Sequence, residues 1–201
     1  TPYRVWVSEI MLQQTRVAAV LDYYARFMAE LPDVAALAQV PEGRLMKLWQ
    51  GLGYYSRARN LQTAARQIME EYDGVFPSQY DQVRALKGVG DYTAGAICSI
   101  AFKQPVPAVD GNVLRVVTRI NGDQRDITAQ ATKRAIADQL SPIIPLHAPD
   151  KFTQAMMELG ATVCLPNGAP QCQRCPARDF CVACAQDLSL IHISEPTRLD
   201  V

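Results

Sequence analysis

Five of the chain's six cysteines crowd into residues 164–184. Four of them read C-x7-C-x2-C-x5-C: Cys164, Cys172, Cys175 and Cys181. Spacings this short gather thiolates around one ion or cluster, so this segment must fold about whatever it holds. A disulfide knot and a structural zinc are the competing readings of the same spacing. Cys98 stands alone and reads as a packed thiol, and Cys184 as a bystander.

The rest of the chain reads as helix after helix. Apolar periodicity and Gly, Pro or polar joints predict helices near 3–14, 17–30, 33–38, 42–50, 55–72, 79–86, 92–102, 111–121, 129–140 and 150–163. In the fifth, Leu61, Ala64, Ala65 and Ile68 recur at helical spacing, and Arg57, Arg59, Arg66 and Glu70 take the other faces. Pro32, Pro41, Pro77, Pro105, Pro142 and Pro145 mark joints, and Ser78 and Thr128 read as N-caps. Alternating β-branched runs are scarce, so the expected class is all-α, helix packed on helix. Hydrophobic residues make up 49% of the 201 positions, enough for a core and too many for a disordered chain. No uncharged apolar run of about 18 residues exists, so no membrane-spanning helix is expected. The 20 Lys and Arg balance the 20 Asp and Glu. That excludes a polybasic tail but not a local basic face for nucleic acid.

Residues 79–102 read QYDQVRALKGVGDYTAGAICSIAF. A short helix, a turn at Gly88-Val89-Gly90 and a helix rich in small residues are expected. Two glycines allow positive φ there, and a turn beside a helix N-terminus offers N–H groups to an anion such as a phosphate. A bare GxG is weak, but the whole LKGVGDYTAGA resembles the helix-hairpin-helix of DNA glycosylases. Three further segments agree: VWVSEIMLQQT at 5–15, GLGYYSRARN at 51–60 and VDGNV at 109–113. With the four cysteines, they resemble the catalytic region of the MutY-type adenine DNA glycosylases, within the endonuclease III superfamily. The likeness covers about residues 1–187, in order. Cys164-x7-Cys172 is one residue longer than the family's commoner spacing.

The resemblance implies two helical lobes: a barrel-like lobe with the helix-hairpin-helix over 1–104, and a cluster lobe over 105–187. It implies a [4Fe–4S] cluster on Cys164, Cys172, Cys175 and Cys181, structural or electronic in role. Arg174 and Arg178 lie inside that loop, placed to offset its charge. The implied partner is double-stranded DNA carrying adenine opposite 8-oxoguanine or guanine. A monomeric, cytoplasmic and nucleoid-associated protein follows, with no membrane contact. Against the family's pattern the chain lacks an N-terminal helix of the cluster lobe and a C-terminal oxoguanine-reading domain. An exposed apolar patch and weaker discrimination of 8-oxoguanine are therefore expected.

Cleaving an N-glycosidic bond requires protonation of the leaving base and tolerance of sugar cation character, tasks two carboxylates can share. Glu9 falls between Val5 and Leu12 on one side and Trp6 on the other, and apolar surroundings favour its protonated form. By resemblance Glu9 is the acid that protonates adenine at N7. Asp110, at a loop-to-helix junction, reads as an N-cap, and by resemblance it stabilises the sugar cation, with Asn112 orienting it or a water. Tyr92 stands where the bifunctional endonuclease III branch has Lys, and tyrosine forms no Schiff base. A monofunctional glycosylase is expected, with Tyr92 bonding near Asp110. By resemblance Gln14 and Tyr54 are the wedges that enter the base stack, with Gln13 beside them as a further DNA contact. Lys87, Gly88, Val89 and Gly90 are implied DNA contacts of the hairpin, and Arg16, Arg57, Arg59 and Arg115 are candidate phosphate partners.

Two rivals stand beside this reading: an endonuclease III-like pyrimidine glycosylase and lyase, and a non-catalytic Fe–S protein that binds DNA. His147 and His192 have no companion at useful spacing and receive no role. The run LSLIHISEPTR resembles a translated sequencing adapter, so 188–201 is expected to be foreign to the fold.

Overall fold

The computed structural model describes residues 1–15, 17–166 and 169–188. The fold is all-α, and no strand occurs among the described residues. Two compact units divide the chain between Phe102 and Lys103. The first contains α1 (Pro2–Leu12), α2 (Val17–Glu30), α3 (Val34–Gln39), α4 (Glu42–Trp49), α5 (Ser56–Glu71), α6 (Tyr80–Ala85) and α7 (Asp91–Phe102). Its starts follow from local chemistry. Pro2 opens α1 behind the Thr1 cap, and the Asp33 side chain accepts from the Ala36 N–H at the head of α3. Trp6, Phe27, Trp49, Leu61, Ile68 and Ile97 form much of its fully buried interior.

Helices this short leave a large share of their backbone groups at their ends. The last carbonyls of a helix have no partner within it. In this unit, side chains from other helices supply donors. Tyr3 donates to Leu31 O at 2.7 Å, behind α2. Gln62 donates to Val40 O at 2.6 Å and Arg66 to Ala38 O at 3.2 Å, at the end of α3. Arg57 donates to Ile10 O and Met11 O, at the end of α1. Of these α5 donors Arg57 and Gln62 are buried, Arg57 against the sequence reading that sets it apart from the apolar stripe, while Arg66 is exposed and reaches in through Nε.

The second unit contains α8 (Gly111–Asn121), α9 (Gln130–Leu140), α10 (Pro149–Thr162) and α11 (Val182–Ala185). Short 3-10 turns lie at Ser141–Ile143, Cys172–Arg174 and Arg178–Phe180. Asp110 caps the start of α8, and Gly122 ends it at φ 65°, a left-handed cap. Val113, Leu114, Val117, Ile136 and Leu140 form its core, with Phe152, Met156 and Met157 of α10 packed on it. Ile143, Leu146 and Phe180 are exposed. No described helix is long and apolar enough to cross a membrane.

The ten predicted helices agree with the observed ones to within one or two residues, with informative exceptions. The first stops at Leu12, so Gln13 and Gln14 lie outside it and Gln14 turns to φ 56°. Ser78 and Thr128 are not the N-caps; Gln79 and Ala129 hold those positions without a side-chain cap bond. The Thr128 hydroxyl instead bonds the Asp126 carboxylate at 2.7 Å, a local turn that competes with capping.

Gly160 of α10 lies against α8. A Cβ there would meet Asn112 Cβ at 2.5 Å and Asn112 backbone at 2.9 and 3.0 Å. Gly160→Ala is expected to destabilise the protein by about 1–3 kcal/mol, because neither helix can retreat without unpacking. Gly43→Ala, with nothing within 4 Å, is expected to be neutral or stabilising by up to about 1 kcal/mol. Thermal melting of the two variants checks the contrast.

Candidate active site

Glu9 sits on α1, among Trp6, Val7 and Ile10, all buried, and is itself 9% exposed. A carboxyl this enclosed needs a polar partner. Tyr92 supplies one: its hydroxyl donates to Glu9 Oε2 at 2.5 Å. Tyr92 stands in the first turn of α7, and α7 packs along α1. The hairpin therefore delivers Tyr92 to Glu9 through helix packing within one unit. No lysine amine occupies that position.

Asp110 holds two bonds at once. Its Oδ1 accepts from the Val113 N–H at 2.8 Å, and its Oδ2 accepts from Asn112 Nδ2 at 2.8 Å. Asn112 Oδ1 in turn accepts from Arg115 Nη2 at 2.9 Å. Burial raises the Asp110 pKa above the ordinary aspartate value, and the Val113, Asn112 and Arg115 interactions pull it back. The cap expected from sequence is present, and Asn112 orients the same carboxylate.

Arg115 is not placed for phosphate. It is fully buried, and it donates to Cys164 O and Gly160 O, each at 2.7 Å. Arg57 is likewise withdrawn: it is buried and donates to the carbonyls of Ile10, Met11, Gln13, Leu52 and Gly53. Carbonyl oxygens and phosphate oxygens are both acceptors for guanidinium, and sequence does not separate them. Arg59 is exposed but paired with Glu42 at 2.8 Å. Arg16 and His192 lie outside the described residues.

Of the implied wedges, Gln14 is exposed and Tyr54 is 50% exposed. Both adopt left-handed backbone, φ 56° and 46°, which side chains other than glycine and asparagine rarely take. Gln13 is half-buried, with its carbonyl bonded to Arg57 at 2.6 Å. In the hairpin, Lys87, Gly88 and Gly90 are exposed. Only Gly88 of the two glycines has positive φ, at 78°, and a Cβ there would strike Asn60 Cβ at 2.8 Å. The Val89 side chain is buried, and its N–H is bonded to Leu86 O at 3.1 Å.

Cys164, Cys172, Cys175, Cys181 and Cys184 line one cavity, walled by Val116, Ile120 and Leu159 and bordered by Arg119 and Arg178. Arg119 donates to Leu165 O at 2.9 Å and lies 3.3 Å from Cys164 Sγ through Nη1. Burial raises the thiol pKa of Cys172 and Cys175. Among the described residues no group of three or more His, Cys, Asp or Glu is spaced to hold a single metal ion. Sequence reasoning missed Arg119 and set Cys184 aside. Arg115 and Arg119 lie four apart on α8, set among Val113, Leu114, Val116 and Val117, and that apolar setting is the one signal the sequence offers. Cys98, in contrast, is a packed thiol, pushed up to about 11 by burial.

Comparisons with known proteins bear on this geometry. Over 182 residues the chain is 47% identical to the adenine DNA glycosylase of Rattus norvegicus, covering 90% of this chain and 35% of that one. It spans about a third to a half of the length of the curated relatives it matches. A thermostable thymine-DNA glycosylase superposes with a TM-score of 0.83 at 25% identity, over 92% of this chain and 85% of the other. A non-covalent endonuclease III–DNA complex superposes with a TM-score of 0.80 at 25% identity, over 94% of this chain and 86% of the other. The family profile described as HhH-GPD superfamily base excision DNA repair protein matches residues 7–142, a span that includes both Glu9 and Asp110, and the chain belongs to that superfamily.

Proposed function

We propose that the protein is a monofunctional adenine DNA glycosylase of base excision repair. Its substrate is duplex DNA with adenine opposite 8-oxoguanine or guanine, and its product is an abasic site. The bond between Tyr92 and the buried Glu9 carries this reading. It puts an acid at the hairpin and a tyrosine where a Schiff-base lysine would be needed for strand cleavage. The adenine DNA glycosylase of Rattus norvegicus, to which the chain is similar, supports adenine as the base.

In this reading the target adenosine is extruded and its base meets Glu9. Glu9 transfers its proton to adenine N7. The N-glycosidic electron pair leaves with the base, and the sugar acquires oxocarbenium character. Asp110 stabilises that cation, held by the Val113 N–H and by Asn112. Water then adds to the anomeric carbon, and its proton returns to the Glu9 carboxylate. Tyr92 fixes the rotamer of Glu9 through both events. Gln14 and Tyr54 occupy the space the nucleotide leaves.

The cysteine-lined cavity fits a [4Fe–4S] group in its donor set, soft thiolates within an apolar wall. Cys164, Cys172, Cys175 and Cys181 would hold it. Such a cluster supplies cross-linking of the loop and no base chemistry.

Five measurements test these roles. Glu9→Gln is expected to lower single-turnover excision of adenine from an A:8-oxoguanine duplex by about 10²–10⁴-fold. Borohydride should trap no covalent DNA adduct with the wild-type protein; efficient trapping would establish a lyase instead. Asp110→Asn separates cap from catalyst. Asn keeps one oxygen for the Val113 N–H but turns an amide towards Asn112 Nδ2, so stability should fall by only about 1–3 kcal/mol and the protein should stay folded. Excision should fall by about 10²–10³-fold. Because burial raises Asp110, loss of its charge on acidification should begin at a higher pH than for an exposed aspartate. The acid limb of the rate profile is expected there. Finally, aerobically purified protein should be brown and carry iron and sulfide, and Cys175→Ser should bleach it. Zinc in place of iron would refute the cluster.

A further inference from the structure

Arg57 joins two loops that are far apart in sequence. Its Nη1 donates to Ile10 O at 2.9 Å, Met11 O at 3.2 Å and Gln13 O at 2.6 Å. Its Nη2 donates to Leu52 O at 3.0 Å and Gly53 O at 3.3 Å. One nitrogen serves the end of α1, and the other serves the turn before α5. The guanidinium is planar, so the two sets of acceptors are held at a fixed mutual angle.

The acceptors are not arbitrary. Gln13 immediately precedes Gln14, and Gly53 immediately precedes Tyr54. A peptide unit is rigid and planar, so the carbonyl of one residue and the N–H of the next turn together. Holding Gln13 O and Gly53 O therefore orients the planes from which Gln14 and Tyr54 depart. Those are the two exposed residues in left-handed backbone at this end of the unit. Such a conformation persists in a non-glycine residue only where its surroundings over-determine it. The Arg57 Cζ also lies 5.6 Å from the Tyr54 ring centroid and 5.4 Å from that of Trp49. Trp49 Nε1 adds a second donor to Gly53 O at 3.0 Å.

We propose that Arg57 is a positioning residue that sets Gln14 and Tyr54 as one two-pronged wedge. The proposal rests on the reading that these two side chains enter the base stack. An ammonium group is a point donor and cannot present two coplanar sets of N–H groups, so lysine does not replace Arg57.

A double-mutant cycle tests this. Extrusion is read by fluorescence of 2-aminopurine placed at the target adenine, and excision by single-turnover cleavage of an A:8-oxoguanine duplex after alkali. Wild type, Arg57→Lys, Tyr54→Ala and the double variant are compared, each with its melting curve. Arg57→Lys should slow extrusion by about tenfold, yet change the Tyr54→Ala protein by less than about twofold. Losses that multiply in the double variant, or an Arg57→Lys protein that extrudes like wild type, would overturn the staple. A wild-type protein that neither extrudes nor excises would instead defeat the glycosylase reading. Should Arg57→Lys not fold, 15N NMR of the wild type decides. Separate, slowly exchanging Nη1 and Nη2 signals for Arg57 are expected, and one averaged signal refutes a guanidinium held on both sides.

Discussion

Short helices end often, and each end strands carbonyl oxygens that water cannot reach once the chain packs. This constraint runs through both units. A recurrent remedy is a polar side chain on a neighbouring helix that reaches across and donates. Tyr3, Arg57, Gln62 and Arg66 do so in the first unit, and Arg115 and Arg119 in the second. Of these donors Arg66 reaches its carbonyl from the surface, and the others lie in the interior because their acceptors do. Their charge is tolerated there because the guanidinium finds several carbonyls, at ends where the helix dipole is negative.

The same arrangement places the chemistry. Arg57 closes the end of α1 just before Gln14, and Arg115 closes the end of α10 at Cys164, where the cysteine loop begins. Arg115 also holds Asn112, which holds Asp110. A buried cation thus links the cap of α8 to the root of the thiol-lined loop. Glu9 depends on a different contact, the packing of α7 along α1, which brings Tyr92 to it.

Much of this was legible beforehand. Helix limits follow from Pro, Gly and apolar period, all local properties, and they agree with the structure closely. Asp110 as a cap also depends on nearby backbone alone. The exceptions share one cause. Arg57 and Arg115 carry the signature of phosphate ligands, since charge and hydrogen-bond capacity are all that sequence reveals of an arginine. Whether the oxygen opposite belongs to DNA or to a distant carbonyl depends on which helices meet. Gln13 and Gln14 continue the helical pattern of α1, yet the helix ends at Leu12 and the Gln13 carbonyl bonds Arg57, 44 residues away.

Composition, period and turn chemistry by themselves determined an all-helical chain, the segments that form its helices, and the motifs shared with the HhH-GPD superfamily. These are short-range consequences of backbone sterics and side-chain shape. Only tertiary packing decided which polar groups are buried: Glu9 against Tyr92, Arg57 beneath the two left-handed residues, and five thiols around one cavity rather than four. Burial and hydrogen-bond pairing are properties of two surfaces that meet, and no single stretch of chain contains both.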